Sequence, residues 1–543
     1  HRSADCVEVV LSDGHSCILA GDLAEARWRC TSNQCTTLFE CVAANRNPAG
    51  QMTNNTSIGR NAILNSFTLI VSLAVAFFLS PFLVQRLGSV GYGTWTLVTS
   101  MISYMALLDL GLRGTVTRFV SRYHAQGAHE ESSRAVSAVF WIRLWTGLVI
   151  LWAAAFLSTL APSLLRIPPE MQSSTRWALI LVGTSLAVTL TFGIFGAVLA
   201  ALQRFDLLCS VSISQIALRT AGTIWLLRSG HGIVALAVWE LCAVILANAT
   251  LTVLAMRVYR EIRVIFRRPD AATLRKLGGY SFYLIAINTS RQVINYTDTL
   301  VVGALISVTA VTFYTIAGGL LEYARQMVSA LGLSFLPMAS SMEARGQKDQ
   351  LRDLLLNGTC ATLLVGLPIY TALFFRGDNF IGLWMGQEYA QISGSILQML
   401  LVGQIFLIAQ YTNYNILCAL EKQKPLALRL AGEAVANLIL SIVLARRIGV
   451  MGVAVGTLIP GVINHALFGS RYVCKLLEIP VSQFLWRSWV RSAVAVIPFG
   501  LACYLSDLFW FPVNMLQFVF QIAVLLPVLV LGVGASRTLR SSV

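Results

Sequence analysis

Apolar segments of about 20 residues follow one another along most of the chain, and short polar loops separate them. Each segment is long enough to cross a bilayer as a helix, since a transmembrane helix needs about 20 apolar residues. The candidate spans are residues 61–84, 93–112, 136–160, 177–202, 207–227, 232–256, 279–303, 311–336, 353–375, 393–417, 426–445, 450–473, 491–510 and 515–535. The pattern predicts an all-α polytopic membrane protein with about fourteen transmembrane helices.

The second half of the chain repeats landmarks of the first half about 219 residues later. The matching stretches are Ala125–Gly127 with Ala344–Gly346, Ala201–Arg204 with Ala419–Lys422, and Gly230–Ala235 with Gly449–Ala454. A membrane chain built from two tandem copies of one unit is typical of a transporter, in which two lobes rock about a central site.

The repeat divides the membrane part into two lobes with pseudo-symmetry. We predict a first lobe of six spans over residues 52–256 and a second lobe of six spans over 278–474. A basic cytoplasmic linker, 257–277, joins them, and residues 475–543 add two accessory helices that face lipid.

Composition agrees with a lipid environment. The chain is 56% hydrophobic and only 12% charged, whereas a soluble protein carries about 25% charged residues. Its mean hydropathy is +0.70. Most loop Lys and Arg fall on one side if the N-terminus is cytoplasmic, which is the positive-inside pattern. The net charge of +15 therefore needs no nucleic acid to explain it, and both ends are expected in the cytoplasm.

Residues 1–51 depart from this pattern. They hold five of the 11 cysteines, no methionine and no apolar core of a signal peptide. We expect this stretch to be a non-native or disordered extension, with Met52 as the natural start. A small metal or disulfide module is the alternative, although the spacing of Cys30, Cys35 and Cys41 does not fit a zinc site well.

Four arginines interrupt the apolar spans, and each would cost about 2.5–3.5 kcal/mol at the centre of a membrane helix. They are Arg143, Arg219, Arg291 and Arg325. Such residues are expected to face the bundle interior or a water-filled cavity. Arg143 and Arg325 lie nearer helix ends, where a long side chain can reach the interface.

The seventh span carries a complete polar stripe. Asn288, Arg291, Asn295 and Asp298 are spaced i, i+3, i+7 and i+10 and share one helical face. The stripe lines either a cavity or a polar seam between helices, and the cavity is the favoured interpretation.

Membrane acids have two possible roles. Asp298, Glu322 and Glu240 are candidates for carrying a coupling H⁺ or Na⁺, or for neutralising arginines. Glu322 and Arg325 are spaced i, i+3 and can pair with each other. For Glu240 a local hydrogen bond that fixes helix packing is the alternative.

Further polar faces lie in the tenth and eleventh spans. They consist of Gln404, Tyr411 and Asn415, and of Glu433, Asn437 and Ser441. Arginine suits anionic ligands, because it stays protonated and its fork makes bidentate hydrogen bonds to phosphate or carboxylate. The predicted substrate-binding set is Arg143, Arg219, Arg291, Asn288, Asn295 and Arg325. Positions one repeat after Arg143 and Arg219 are Thr362 and Asn437, so the cavity chemistry is not duplicated.

No catalytic motif accompanies these residues. The chain has no zinc spacing, no Walker phosphate loop and no nucleophile elbow, so we expect no catalytic residues, no metal and no cofactor. Transport would then use an ion gradient or run downhill.

Six segments of the chain have a familiar pattern: Leu79–Gly88, Gly91–Trp95, Leu107–Leu112, Arg118–Arg122, Ala419–Pro425 and Gly449–Thr457. They resemble segments of bacterial oligosaccharide (O-antigen) flippases of the multidrug/oligosaccharidyl-lipid/polysaccharide exporter (MATE-like) superfamily. The resemblance implies an undecaprenyl-pyrophosphate-linked oligosaccharide as substrate, moved between leaflets of the bacterial inner membrane for surface polysaccharide such as lipopolysaccharide. It also implies partners among membrane lipids and the polysaccharide assembly machinery.

Two other functions stay open at this point. An ion-coupled drug or small-molecule antiporter of the same superfamily would need acidic residues to dominate the cavity. A membrane polysaccharide polymerase or ligase would need catalytic groups on a large periplasmic loop, and the predicted outer loops are short.

Overall fold

The computed structural model describes residues 7–10, 16–19, 48–109, 112–262, 282–332, 334–510 and 512–538. Within the first 66 residues, which form a unit of their own, strands β1 (Val7–Val10) and β2 (Ser16–Leu19) pair antiparallel. Most of residues 1–51 lie outside the described part, so the prediction for this stretch stays a prediction.

The first lobe is built from six α-helices that follow one another in the chain. They are α1 (Pro48–Met105), α2 (Leu112–Ala125), α3 (His129–Leu164), α4 (Pro169–Ala201), α5 (Phe205–Arg228) and α6 (Ile233–Val258). A 3₁₀ turn, Ala106–Asp109, follows α1. Gly88, with φ 70°, divides α1 into the first two predicted spans. Most of the predicted linker 257–277 lies outside the described residues.

The second lobe begins at α7 (Phe282–Leu305). It continues with α8 (Val308–Gly332), α9 (Phe335–Ala344), α10 (Lys348–Asp353), α11 (Thr359–Trp384), α12 (Gln387–Ile408), α13 (Gln410–Ala419), α14 (Gln423–Val462) and α15 (Ser470–Leu476). One π-helical stretch, Leu354–Gly358, connects α10 to α11, and another, Ile463–Gly469, connects α14 to α15.

Three shorter elements and one long helix complete the C-terminal part. They are α16 (Val481–Phe484), the π-helical stretch Leu485–Val490, α17 (Arg491–Phe509) and α18 (Met515–Thr538). Helix α17 packs against both α11 and α18, which attaches the two accessory helices to the second lobe.

The internal repeat is visible in the backbone itself. Left-handed turns with positive φ recur one repeat apart, at Gly127 (67°) and Gly346 (67°), at Gln203 (59°) and Glu421 (55°), and at Gly230 (78°) and Gly449 (64°). Side chains disfavour this conformation, which is why glycine occupies two of the three pairs. Gly449 bends α14 in the same way that Gly88 bends α1.

The all-α membrane fold predicted from the sequence is confirmed, whereas the number of spans is not settled. Within the described ranges ten helices are long and apolar enough to cross a membrane, and two of these contain the bends at Gly88 and Gly449. Helices α7 and α8 are not among the ten, because their polar side chains lower their apolar character. The count of fourteen stays a prediction.

The two lobes meet through α1. In its second half, Gln292 Nε2 donates to the Ser103 carbonyl at 2.8 Å and Thr312 Oγ1 donates to the Ser89 carbonyl. In its first half, Phe77 stacks on Trp384 with ring centroids 4.7 Å apart. The buried core runs across this junction, from Leu97 of α1 to residues of α7, α8 and α11 such as Val302, Val311 and Leu363.

Candidate functional site

The second lobe contains a polar cavity of about 450 Å³. Its walls come from α7, α8, α9, α12, α13, α14 and the π-helical stretch after α14. The lining residues are Arg291, Ile294, Asn295, Glu322, Arg325, Gln326, Ser329, Gly332, Leu336, Gln404, Leu407, Gln410, Tyr411, Tyr414, Asn415, Leu417, Leu426, Arg429, Leu430, Glu433, Asn464 and His465. All of them belong to the second repeat.

Three arginines are among the lining residues that the structure describes, and each has a different environment. The guanidinium of Arg291 lies over the Tyr414 ring, 4.4 Å from its centroid. Arg325 pairs with Glu322, one turn earlier on α8, and its Nη1 donates to Asn295 Oδ1 at 3.1 Å. Arg429 contributes a third guanidinium from the second turn of α14.

Amides, an imidazole and a second carboxylate form the deeper wall. Glu433 accepts a hydrogen bond from Asn464 Nδ2 at 2.5 Å, and His465 Nε2 lies 3.4 Å from its other oxygen. Gln410 Nε2 donates to the His465 carbonyl at 3.0 Å. The cavity therefore combines cations with amide donors and acceptors and with aromatic rings, a set that can bind both an oxyanion and sugar hydroxyls.

The polar stripe of α7 is divided by the structure. Arg291 and Asn295 line the cavity and are exposed, whereas Asn288 is exposed but does not belong to the lining. Asp298 is 4% exposed and lies in a separate buried cluster. It accepts hydrogen bonds from Tyr314 OH (2.6 Å), Ser441 Oγ (3.2 Å) and Thr457 Oγ1 (2.5 Å).

Arg143 was predicted to bind substrate, but the structure places it inside the first lobe and away from the cavity. Its side chain is 4% exposed and pairs with Asp109. Nη1 also donates to the Leu190 carbonyl at 2.6 Å. Burial explains the difference, because a desolvated guanidinium needs a counter-ion, and Asp109 in the 3₁₀ turn after α1 supplies one.

Arg219 likewise lies outside the cavity. Its Nε is 2.7 Å from Glu240 Oε2 of α6, and its side chain is 52% exposed. The pair joins α5 to α6, which matches the packing alternative stated for Glu240. Glu322 is the third acid proposed for ion coupling. It pairs with Arg325 and accepts a hydrogen bond from Gln326 Nε2 at 2.8 Å.

Sequence reasoning named eight of the 22 lining residues, and the polar ones it missed include Arg429, Gln410, Tyr414, Asn464 and His465. Arg429 could have been found, because it extends the predicted polar face of Glu433, Asn437 and Ser441 by one turn in the N-terminal direction. His465 could not have been found, since a single histidine in an apolar span forms no periodic pattern with other polar residues. Among the described residues no group of three or more metal-ligating side chains is present.

Comparisons with known proteins cover most of the chain. Residues 87–394 match the family described as "Polysaccharide biosynthesis protein". A Shigella flexneri protein named "Putative O-antigen transporter" is 22% identical over 427 residues, which is 78% of this chain and all of that protein. The "Uncharacterized membrane protein EpsK" of Bacillus subtilis is 22% identical over 448 residues, covering 79% of this chain and 85% of its own.

Solved structures share the fold. The lipid II flippase MurJ in an inward closed conformation has a TM-score of 0.66 at 17% identity and covers 89% of this chain and 99% of its own. An inward-facing multidrug resistance MATE family transporter of the MOP superfamily has a TM-score of 0.63 at 13% identity, with 77% and 99% coverage. This similarity shows that the chain has the fold of these two proteins.

Proposed function

Because this chain belongs to the polysaccharide biosynthesis protein family, we propose that it is a flippase for an undecaprenyl-pyrophosphate-linked oligosaccharide. It would carry this lipid from the cytoplasmic to the periplasmic leaflet of the inner membrane for assembly of surface polysaccharide. The observation that carries the proposal is the cavity of the second lobe, which holds three arginines beside tyrosines and amides.

The cavity offers suitable partners for both parts of such a head group, the pyrophosphate and the sugars. Guanidinium forks bind phosphate oxygens bidentately, and a low-dielectric wall strengthens each of these hydrogen bonds. Gln404, Asn415 and Tyr411 offer donors, acceptors and an aromatic face to sugar rings. The polyprenyl tail, which is as apolar as the lipid around it, would remain in the bilayer.

The contacts between the lobes favour an alternating-access mechanism. The hydrogen bonds of Ser89 and Ser103 hold α1 against α8 and α7. Arg291, which precedes the Gln292 contact on α7, remains exposed. With the predicted cytoplasmic N-terminus, the cavity lies in the cytoplasmic half of the membrane and would accept substrate from that side. Separation of α1 from α8 would then release it on the other side.

Asp298 is the strongest of the three candidates for ion coupling. Its carboxylate is buried among hydroxyl groups from α8 and α14 rather than paired with an arginine, unlike Glu240 and Glu322. Hard oxygen ligands suit Na⁺, and a carboxylate in a dry site also suits H⁺. Since Asp298 connects α7 to both halves of α14, a change in its occupancy would alter helix packing beside the cavity.

The two alternative functions fit the cavity less well. Its described lining carries three arginines against Glu322 and Glu433, so it would repel an organic cation. A polymerase or ligase needs a nucleophile or base poised in the site. The acids here are engaged instead, because Glu322 pairs with Arg325 and Glu433 accepts a hydrogen bond from Asn464 beside His465. We therefore propose a transporter without catalytic activity or cofactor, working with the polysaccharide assembly machinery.

The test replaces Arg291 with Ala in cells whose chromosomal copy of the gene is deleted. Loss of a charge-assisted hydrogen bond costs about 1.5–3 kcal/mol, so we expect surface polysaccharide to fall about 10-fold or more. Lipid-linked precursor should accumulate at the cytoplasmic leaflet. Carbohydrate gels and leaflet-specific labelling of the precursor measure the two effects.

The matched control is Arg446→Ala, which removes one arginine from an exposed position of α14 outside the cavity. It should keep export near the wild-type value at equal membrane expression. Normal surface polysaccharide in the Arg291→Ala variant would contradict the cavity assignment.

A further inference from the structure

The first half of α1 carries a proline inside the helix. Pro81 lies two turns before the bend at Gly88, with helix on both sides of it. Because proline has no N–H, the carbonyl four residues earlier, that of Phe77, loses the donor that it would have in a regular α-helix. A backbone carbonyl without a donor is costly at membrane depth, and a neighbouring helix can supply one.

The donor for the Phe77 carbonyl comes from the other lobe. Trp384, the last residue of α11, donates its indole N–H to this oxygen at 3.2 Å. Its ring stacks on that of Phe77, and the whole side chain is buried. A buried indole N–H needs an acceptor, so each group meets the requirement of the other.

A second side chain of the other lobe reaches the same turn of α1. The hydroxyl of Tyr323, on α8, lies 3.2 Å from Ser80 Oγ. Ser80 Oγ itself donates to the Ala76 carbonyl at 2.7 Å, so the Tyr323 hydroxyl is the donor to Ser80. The Tyr323 ring meets Phe77 edge to face, with centroids 5.7 Å apart. The turn before Pro81 is therefore a contact point for both α8 and α11.

The strength of the hydrogen bond from Trp384 suits a contact that has to open. With the predicted cytoplasmic N-terminus, this turn lies toward the periplasmic end of α1, where water enters if the lobes part. Water would then satisfy both the indole N–H and the Phe77 carbonyl. The net effect of one such hydrogen bond on the equilibrium between closed and separated lobes is a factor of about 5.

We propose that the Trp384 indole and the Phe77 carbonyl form a latch between the lobes, and that Pro81 creates it by freeing the carbonyl. The latch favours the closed state at the end that the predicted topology places in the periplasm. Trp384 is not among the cavity-lining residues, so it is a positioning residue that acts on the arrangement of the lobes. Only its role in transport rests on the proposed function.

The experiment measures how readily the lobes separate in the full-length protein in lipid nanodiscs. A cysteine replaces Thr312, which is fully buried where α8 meets α1 and becomes accessible when the two helices part. Its rate of modification by a water-soluble maleimide is followed by mass spectrometry of the peptide that contains position 312. The native cysteines therefore do not interfere.

Two substitutions remove the latch from opposite sides. Trp384→Phe keeps an aromatic ring but lacks the indole N–H, and Pro81→Ala supplies an N–H that can bond the Phe77 carbonyl within α1. We expect each to raise the modification rate about 5-fold. The double variant should raise it by less than the product of the two, because both changes remove the same hydrogen bond. Pro81→Ala also leaves every side chain of the contact in place, so it tests the latch without a change in packing.

The matched controls are Trp225→Phe, at an exposed position of α5, and Pro498→Ala, inside α17. Both should keep the rate of the parent protein. Multiplicative effects of Trp384→Phe and Pro81→Ala, or rates unchanged by both, would overturn the latch. The assay contains no substrate, so these outcomes leave the proposed function untouched. Normal export by Arg291→Ala would contradict the flippase proposal and leave the latch in place.

Discussion

Two arginines of the transmembrane helices, Arg143 and Arg429, lie in contrasting surroundings. Arg143 is enclosed by its own lobe, with Asp109 as counter-ion and the Leu190 carbonyl as a second acceptor. Arg429 lines the cavity of the second lobe, and both arginines have a buried Nε without a hydrogen-bond partner. In a membrane helix the cost of an arginine therefore does not by itself indicate function. The position of the side chain, inside a packed lobe or on a cavity wall, has to be known as well.

Replacing Arg143 with Gln should destabilise the first lobe by about 2–3 kcal/mol, less than a fully buried pair would lose because Asp109 is 35% exposed. Melting of the purified protein in detergent measures the effect. Adding Asp109→Asn should restore part of the lost stability, since it removes the orphaned carboxylate. An unchanged melting temperature in Arg143→Gln would show that the pair contributes no stability.

Helical spacing in the sequence predicts which residues of one helix lie together, but it does not predict contacts between helices. The stripe on α7 correctly placed Arg291 and Asn295 on one surface, and the i, i+3 spacing correctly paired Glu322 with Arg325. The partners of Arg143 and Arg219 lie on other helices, at Asp109 and Glu240, and no spacing along one helix could reveal them.

At the scale of elements, close approach between α1 and α8 depends on a glycine. A Cβ atom at Gly93 would overlap the Val308 carbonyl and come within 2.9 Å of Thr312 Oγ1. No side chain fits between the two helices at this point, so the lobes can close there only while residue 93 lacks one. The contact is one of those expected to separate during transport.

Gly93→Ala should push α1 away from α8 and favour the state in which the lobes are separated at that end. We expect export to fall while membrane expression stays normal, and a cysteine introduced at Ser89 to become more reactive toward a membrane-impermeant thiol reagent. The control is Gly318→Ala, on α8, where an added Cβ would have no atom within 4 Å. This variant should behave like the wild type. Equal reactivity in both variants would contradict this account.

Helix bends belong to the same scale, and the sequence indicated them through its repeated glycines. The pairs Gly127 with Gly346 and Gly230 with Gly449 adopt nearly the same left-handed conformation in each lobe. The π-helical stretches at Leu354–Gly358 and Ile463–Gly469 were not predicted, because an extra residue in one helical turn leaves no pattern in hydrophobicity.

At the scale of the whole molecule, the two lobes contact each other through α1 and would have to part for alternating access. A double variant, Ser89→Cys with Thr312→Cys, tests this directly, since Thr312 Oγ1 bonds the Ser89 carbonyl in the closed arrangement. Cross-linking with a short bifunctional methanethiosulfonate should abolish export of the lipid-linked glycan, and dithiothreitol should restore it.

The single-cysteine variants treated with the same reagent control for modification alone. Full export by the cross-linked protein would show that the lobes need not separate at this contact.

Placement of the polar cavity within one lobe has a consequence for inheritance. The family match ends at residue 394, whereas Gln404, Arg429 and His465 of the cavity lie beyond it. If substrate preference depends on the second lobe alone, exchange of that gene segment between related transporters would change which polysaccharide precursor is accepted in one recombination. The first lobe would serve each recombinant without change.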